Sequence, residues 1–254
     1  MRLRVLGCSG GIGSALRTTS FLLDDDILID AGTGTGDLCQ EELRRIRHIF
    51  LTHSHLDHIA GLPLLVDTLL GFTDRPLTIH ALPETVDALQ QHIFNWKIWP
   101  DFAELPDKDH PSMRYRPMTV GESVELDSRT ITMLPASHTV PACGYAIRVD
   151  TGTLAFSGDT STNDSLWPVL NRIADLKILL IECAFANKDC KLASVSRHYC
   201  PSTLAADLAK LTVSPEIIIS HLKPGNEALI MQECHSAMPA LNLRRLKGED
   251  RIEL

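Results

Sequence analysis

Aromatic residues are scarce in this chain, at 5% of 254 residues, and long hydrophobic runs are missing. The longest apolar stretch, residues 59–72, is too short to cross a bilayer as a helix and contains Asp67. The first residues, Met-Arg-Leu-Arg-Val-Leu, are typical of a strand rather than of the apolar core of a signal peptide. We therefore expect a cytoplasmic protein with no membrane partner.

Positive charge is also in short supply. The chain has 24 basic against 32 acidic residues and a net charge of −8. This balance argues against a broad electrostatic surface for nucleic acid, so no nucleic-acid partner is expected. A small anionic substrate stays compatible with the charge, because bound metal ions would reverse its sign locally.

Paired cysteine motifs and linkers are the remaining absences. The seven cysteines are odd in number and form no CxxC pair, which predicts reduced, mostly packed thiols rather than a disulfide framework. No repeat, low-complexity tract or linker divides the chain. A length of 254 residues suffices for one large core, so we predict a single domain over residues 1–254.

A dense group of metal-ligand residues follows the apolar run at residues 49–51, which predicts a buried strand. The group reads Thr-His-Ser-His-Leu-Asp-His and precedes a predicted helix. Side chains two apart on extended backbone point the same way, so His53 and His55 can reach one ion. Asp57 and His58 lie beyond the bend and can face a second ion. Zinc and related cations prefer such ligands, although Asp57 could instead cap the helix and the histidines could form a polar loop.

Further ligand-type residues follow later apolar strands. His138, Asp159 and His221 each come just after such a strand. Active sites of layered α/β proteins collect at strand ends, so the ordered series predicts one site. Asp30 also ends a predicted strand, where it could support a ligand histidine from behind or only cap its loop.

Each of two loops allows two interpretations. Residues 7–13 are glycine-rich, but their spacing matches neither a dinucleotide fingerprint nor a P-loop. They form either a tight turn or a loop that presents main-chain N–H groups to a phosphate. Residues 94–115 lose periodicity and contain Asn95, Trp96 and Trp99. These side chains either pack on the core or form a lid that stacks a flat substrate ring. The apolar surface near Trp96 could also pair two subunits in a homodimer.

The ordered pattern HxHxDH, a later His, an Asp within a Gly-Asp dipeptide and a last His resembles the metallo-β-lactamase superfamily over nearly the whole chain. The resemblance implies an α/β fold, a four-layer αβ/βα sandwich of two mixed sheets with outer helices, and a site for two cations. It assigns His53, His55 and His138 to the first cation, Asp57, His58 and His221 to the second, and Asp159 to both. An Asp at the bridging position, where true β-lactamases carry Cys or Ser nearby, favours a phosphoesterase or thioesterase branch.

Within the superfamily, five stretches resemble the class II 3′,5′-cyclic-nucleotide phosphodiesterases. They are HLDHIAG at 55–61, IFNWKIWP at 93–100, SGDT at 157–160, IECAF at 181–185 and SHLKP at 220–224. The resemblance implies a cyclic-nucleotide substrate, nucleoside 5′-monophosphate as product and two divalent cations. Zn²⁺ is expected, with Mn²⁺ or Fe²⁺ as alternatives. The resemblance also places Asp57 among both the metal-binding and the catalytic residues. It places Asn95, Trp96 and Trp99 in contact with the substrate.

Glu182 and His198 resemble the proton-donating pair of the tRNA 3′-processing endonucleases. This resemblance makes His198 the candidate general acid, with Glu182 orienting it. Those enzymes also carry a long basic and glycine-rich arm, which this sequence lacks. A tRNA-end endonuclease and a thioesterase of the glyoxalase II kind remain alternatives on the same metal site. A non-catalytic member of the superfamily that keeps the fold for protein binding is a further alternative. Such members typically lose metal ligands, whereas this series of ligands is complete.

Overall fold

Two mixed β-sheets organise the computed structural model, which describes residues 1–72 and 75–254. Each sheet belongs to one of two units, and each unit has its own apolar core. The first unit comprises Met1–Gly7, Arg17–Thr119 and Gly248–Glu253, and the second comprises Cys8–Leu16, Val120–Lys247 and Leu254. The predicted pair of mixed sheets with accompanying helices is confirmed, while the single domain over residues 1–254 stays a prediction.

The sheet of the first unit combines antiparallel and parallel pairs. Its strands are β1 (Arg2–Gly7), β2 (Ser20–Leu23), β3 (Ile27–Ile29), β4 (His48–Phe50), β5 (Leu77–Ala81), β6 (Met113–Pro117) and β14 (Arg251–Glu253). Their spatial order is β14-β1-β2-β3-β4-β5-β6. Pairs from β14 to β3 are antiparallel and those from β3 to β6 are parallel, so the chain leaves β3, β4 and β5 at one edge.

Short helices lie between the strands of this unit along the chain. They are a 3₁₀ helix (Thr33–Asp37), α1 (Gln40–Leu43), α2 (Leu56–Ile59), α3 (Leu62–Leu69) and α4 (Pro83–His92). Four apolar side chains of α3 are buried, namely Leu62, Leu65, Val66 and Leu69. Leu70 follows the last turn of the helix and is exposed.

The second unit repeats this mixed arrangement. Its strands are β7 (Ser123–Leu126), β8 (Arg129–Pro135), β9 (Cys143–Val149), β10 (Gly152–Phe156), β11 (Leu176–Glu182), β12 (Glu216–Ser220) and β13 (Leu243–Arg245), in the order β13-β12-β11-β10-β9-β8-β7. Its helices are α5 (Leu166–Leu170), a 3₁₀ helix (Asn187–Asp189), α6 (Cys190–Val195), α7 (Pro201–Leu208) and α8 (Glu227–Ala237). Strands β10, β11 and β12 are parallel, so their carboxyl ends meet at one edge.

The strands β6 and β7 carry little signal in the sequence. Both lie at an edge of their sheet. Within β6 only Met113 is buried, and within β7 only Val124 is. An edge strand that buries a single side chain carries almost no hydrophobic alternation, which is why periodicity does not reveal it.

The predicted reduced state is wrong for Cys190 and Cys200, which form a disulfide. Cys190 begins α6 and Cys200 precedes α7, so the fold of the intervening loop brings the two sulfur atoms together. Sequence spacing alone does not reveal such a pairing. The other five cysteines are free thiols, as predicted, and three of them are buried. Among the described residues, no helix combines the length and apolar character needed to cross a membrane.

His80 in β5 is a buried imidazole whose pKa bears on the stability of the protein in acid. Its ring stacks on Phe50 with 4.1 Å between ring centroids. Burial, helped by the positive charges of His48 and Arg116, lowers the pKa of His80 from 6.5 to about 3. The unfolded chain therefore binds more protons than the folded chain between these values, and stability falls as the pH falls through that window.

Replacing His80 by phenylalanine should make the free energy of unfolding less dependent on pH between about pH 7 and pH 5, because the group that titrates is removed and the stacking is kept. Urea denaturation at several pH values measures this dependence. His92→Phe, at an exposed histidine of α4, is the matched control and should behave like the wild type. Equal pH dependence in wild type and His80→Phe would show that His80 does not contribute.

Candidate metal centre

The loop after β4 brings four predicted ligands together in the first unit, and we call them the first ligand set: His53, His55, Asp57 and His58. Ring centroids of His53 and His55 lie 4.6 Å apart, and those of His53 and His58 lie 4.2 Å apart. Asp57 Oδ2 lies 3.8 Å from His58 Nε2. His53 and His58 are fully buried, so their imidazoles face each other away from water. Three imidazoles and one carboxylate in this loop supply the ligand types that divalent cations prefer.

Two glycines allow this loop to pack closely. A Cβ atom on Gly32 would lie 2.4 Å from the Asp57 carbonyl oxygen, and one on Gly61 would lie 2.6 Å from the Gly32 carbonyl oxygen. The Ala31 amide donates to the His58 carbonyl at 2.7 Å. Larger side chains at either glycine would push α2, and with it Asp57 and His58, away from the segment after β3.

Asp30 holds His58 from behind, as one of its two predicted roles requires. His58 Nδ1 donates to Asp30 Oδ2 at 2.6 Å, which leaves Nε2 as the ligand atom. Thr52 donates to the same carboxylate through its amide at 2.8 Å and through its hydroxyl at 2.9 Å. Asp30 has a φ of 57°, and this left-handed turn directs its side chain toward the loop after β4. Burial raises the pKa of Asp30, and its bonds to His58 and Thr52 oppose that rise.

An Asp30→Ala variant should bind metal about 10- to 100-fold more weakly, because a ligand histidine loses the carboxylate that fixes its tautomer and orientation. Competition with a chromophoric chelator measures the affinity. Asp25→Ala removes an exposed carboxylate from the neighbouring turn and serves as control. Unchanged metal affinity in Asp30→Ala would contradict the supporting role.

The second unit contains a second ligand set: His138, Asp159 and His221. Asp159 follows β10 and His221 follows β12, and His221 Nε2 lies 3.2 Å from Asp159 Oδ2. All three side chains are almost completely buried. His138 follows β8, and its Nδ1 donates to the Arg197 carbonyl at 2.9 Å, again leaving Nε2 as the ligand atom. Arg197 Nη1 returns a hydrogen bond to the His138 carbonyl at 3.0 Å. Buried imidazoles beside a carboxylate likewise fit a divalent cation.

The glycine-rich loop makes a tight approach to the last ligand. The His221 amide donates to the Cys8 carbonyl at 2.8 Å, and the Gly10 amide donates to the Leu222 carbonyl at 3.1 Å. A Cβ atom on Gly10 would lie 2.7 Å from the His221 carbonyl oxygen. His221 itself has a φ of 58°. These contacts match the tight-turn interpretation of the loop, which supports the backbone of His221.

Glu182 and His198 form a buried pair in the same unit. His198 Nδ1 donates to Glu182 Oε1 at 2.7 Å. Glu182 also accepts the amides of Thr160 and Ala184, each at 3.1 Å. Burial alone would lower the pKa of His198, but the charge and hydrogen bond of Glu182 raise it. Burial raises the pKa of Glu182, and its interaction with His198 opposes the rise.

The surroundings of His198 allow two chemical roles. Its ring centroid lies 4.9 Å from that of His138 and 5.3 Å from that of His221. Ligand atoms of His138, Asp159 and His198 all lie within 4.8 Å of one another. His198 can therefore donate a proton beside the second ligand set or act as an additional ligand, and a measurement of metal content separates these roles.

In the aromatic segment, residues 94–115, the side chains of Asn95 and Trp99 make structural contacts. Trp99 packs against the core of the first unit. The Asn95 side chain accepts the amides of Lys97 and Ile98 at 3.0 and 2.9 Å, which stabilises the turn. Trp96 is 58% exposed and has a φ of 62°. Contact of these three residues with substrate stays a prediction.

Sequence reasoning missed Thr52 and Arg197, which contact predicted site residues, and Lys223, which lies in the loop of His221. Thr52 and Arg197 immediately precede His53 and His198, and only their folded contacts reveal their roles. Lys223 lies within the SHLKP stretch, two residues after His221, and its ammonium group donates to the Gly10 carbonyl at 2.7 Å. Its place in the last ligand loop was the available signal.

Comparison with known proteins places this chain in a family. The model described as "Beta-lactamase superfamily domain" matches residues 25–237, and the chain belongs to this superfamily. Its fold is the metallo-β-lactamase α/β fold, as predicted: the unliganded yeast PDE1 structure matches with a TM-score of 0.82 at 19% identity, over 100% of this chain and 99% of that one.

Two curated relatives differ in their named activities. A Yersinia pestis protein named "Probable 3',5'-cyclic-nucleotide phosphodiesterase" is 28% identical over 84% of this chain and 67% of its own length. A ribonuclease Z from Halorubrum lacusprofundi is 31% identical over 59% of this chain and 48% of its own length. Membership in the superfamily, together with the two ligand sets, identifies a metal-dependent hydrolase.

Proposed function

We propose that this chain is a two-metal phosphodiesterase that hydrolyses 3′,5′-cyclic nucleotides to nucleoside 5′-monophosphates. The observation that carries the proposal is the similarity over 84% of the chain to a protein named as such a phosphodiesterase. The buried Glu182–His198 pair supports it chemically, since opening the cyclic diester creates an alkoxide that needs a proton.

The proposed ligand assignment follows the superfamily pattern. His53, His55 and His138 would hold one cation, Asp57, His58 and His221 would hold the other, and Asp159 would be shared by both. Two divalent cations, with Zn²⁺ proposed and Mn²⁺ or Fe²⁺ as alternatives, would lower the pKa of bound water and offset phosphate charge. Elemental analysis of the purified protein identifies the metals and their number.

The protein side chains protonate the leaving group and orient the metal ligands. His198 Nε2 donates its proton to the ribose O3′, while Glu182 keeps the Nδ1 proton in place and stabilises the charged imidazole before the transfer. Asp30 and the Arg197 carbonyl hold the ligands His58 and His138 in fixed tautomers. Proton donation at O3′ is needed because an alkoxide is a poor leaving group.

A substrate panel tests this function. Metal-loaded protein is incubated with cyclic AMP, cyclic GMP, bis(p-nitrophenyl) phosphate, precursor tRNA and S-lactoylglutathione, and products are separated by chromatography. We expect 5′-AMP or 5′-GMP from the cyclic nucleotides. Cleavage of precursor tRNA alone, or of the thioester alone, would reject the proposal.

A ribonuclease Z activity is the second candidate. Several curated relatives carry that name, and the Glu182–His198 pair resembles the proton-donating pair of those enzymes. The net charge of −8 disfavours it, since binding tRNA requires a positive surface. The precursor-tRNA arm of the panel decides between the two.

The assembly and location are also proposals. We propose a small-molecule substrate without a nucleic-acid or membrane partner, a cytoplasmic location, and a homodimer that pairs the exposed Trp96 and Ile98 surface. Light scattering after gel filtration, with Trp96→Ser as the variant, measures the association.

A further inference from the structure

Lys223 lies in the second unit, in the loop that also carries His221. Its amide donates to the Ala184 carbonyl at 3.0 Å. Its ammonium group donates to the Gly10 carbonyl at 2.7 Å. The main chain of Lys223 and the end of its side chain are thus both held by backbone carbonyls, so less conformational freedom is lost when the ammonium group binds a ligand.

The charge of Lys223 is not neutralised by the contacts that hold it. Its side-chain partners in the described part of the chain are the Gly10 carbonyl and the Phe185 ring, whose centroid lies 5.9 Å from Nζ. Neither partner is anionic, and the Gly10 carbonyl uses one of the three N–H donors. Lys210, by contrast, bonds the carboxylates of both Asp164 and Asp207.

The Phe185 ring is a shared neighbour of this ammonium group and the candidate acid. The Phe185 ring centroid is 5.7 Å from that of His198, so the same ring contacts both side chains. The positive charge of Lys223 lowers the pKa of His198, against the larger and opposite effect of Glu182. A half-buried cation in the loop of His221, sharing a ring neighbour with the proton donor, attracts an anion to that position.

We propose that Lys223 binds the phosphate group of the substrate next to His198. This inference rests on the proposed phosphodiesterase function. An ammonium group is a compact point charge that binds phosphate oxygens through its N–H donors. Because the phosphate carries its charge both before and during the reaction, Lys223 stabilises the bound substrate as well as the transition state, and its loss raises KM more than it lowers kcat.

The test compares Lys223→Met with Lys223→Arg in metal-loaded protein. Methionine keeps an unbranched apolar side chain without the charge, and arginine keeps the charge. Lys188→Met is the matched control, because Lys188 is an exposed lysine that bonds the neutral Asn226 side chain. Affinity for inorganic phosphate is measured by calorimetry, and turnover by hydrolysis of bis(p-nitrophenyl) phosphate. Metal content is determined in every sample.

Lys223→Met should bind phosphate at least fivefold more weakly and show a similar rise in KM at unchanged metal content. Lys223→Arg should stay within fivefold of the wild type, and Lys188→Met should match it. A smaller loss in Lys223→Met, an equal loss in Lys223→Arg, or a loss accompanied by lost metal would overturn the proposal. Failure of the proposed function is distinct, because inactivity toward cyclic nucleotides leaves the phosphate affinity measurable.

Discussion

The His55→Ala protein is expected to lose metal and to lose turnover by about 10³-fold or more, since a catalytic cation contributes several kcal/mol to the barrier. His55 shares the first ligand set with His53 at 4.6 Å between ring centroids. It is less buried than His53 and His58, so its truncation leaves the core packing intact. Loss of activity then reports loss of a ligand rather than unfolding.

Elemental analysis and steady-state kinetics on the same sample test this expectation. His92→Ala removes an exposed histidine from the same unit and should retain both metal and activity. Circular dichroism establishes that both variants are folded. Full activity in a metal-free preparation of either the wild type or His55→Ala would reject the two-metal proposal.

The His198→Ala protein should keep its metal and lose about 10²- to 10⁴-fold in kcat on a cyclic nucleotide, the range that general acid catalysis supplies. The imidazole is held by the 2.7 Å bond from Nδ1 to Glu182, which favours its protonated form. Glu182→Gln should lose less, because the amide oxygen still accepts the Nδ1 proton but no longer stabilises the positive charge.

Leaving-group chemistry separates acid catalysis from a structural role. A p-nitrophenolate leaves without protonation, so His198→Ala should be far less impaired on bis(p-nitrophenyl) phosphate than on cyclic AMP. His235→Ala, at an exposed position of α8, is the control. Equal losses on both substrates would argue against proton donation, and a loss of metal would make His198 a ligand, as its place near His138 and Asp159 allows.

Local sequence was sufficient to predict which residues cluster within each unit. His53, His55 and His58 follow a buried strand within six positions, so their proximity needs only one turn of chain. Asp159 and His221 are far apart in sequence, but each follows a strand, and the parallel pairing of β10, β11 and β12 brings those strand ends to one edge. These predictions rest on the hydrophobic pattern that locates the strands and on the residues that follow each strand end.

Other contacts depended on resemblance or were missed. Glu182 and His198 were paired by resemblance to a family, and the structure joins them at 2.7 Å. The Cys190–Cys200 disulfide was missed, because ten residues of loop and helix must fold before the sulfur atoms meet. The aromatic segment has no periodic signal, and only the structure shows Asn95 bonding its own turn.

The sequence by itself determined which ligand-type residues follow each strand, because strands and tight turns can be predicted from neighbouring side chains. Tertiary structure alone decided which groups support them: Asp30 behind His58, the Arg197 carbonyl behind His138, and the Gly10 carbonyl under the Lys223 ammonium. Each of these three contacts is a hydrogen bond between segments distant along the chain. Hydrogen bonds act over a few ångströms, so none of the three exists until the sheets have formed.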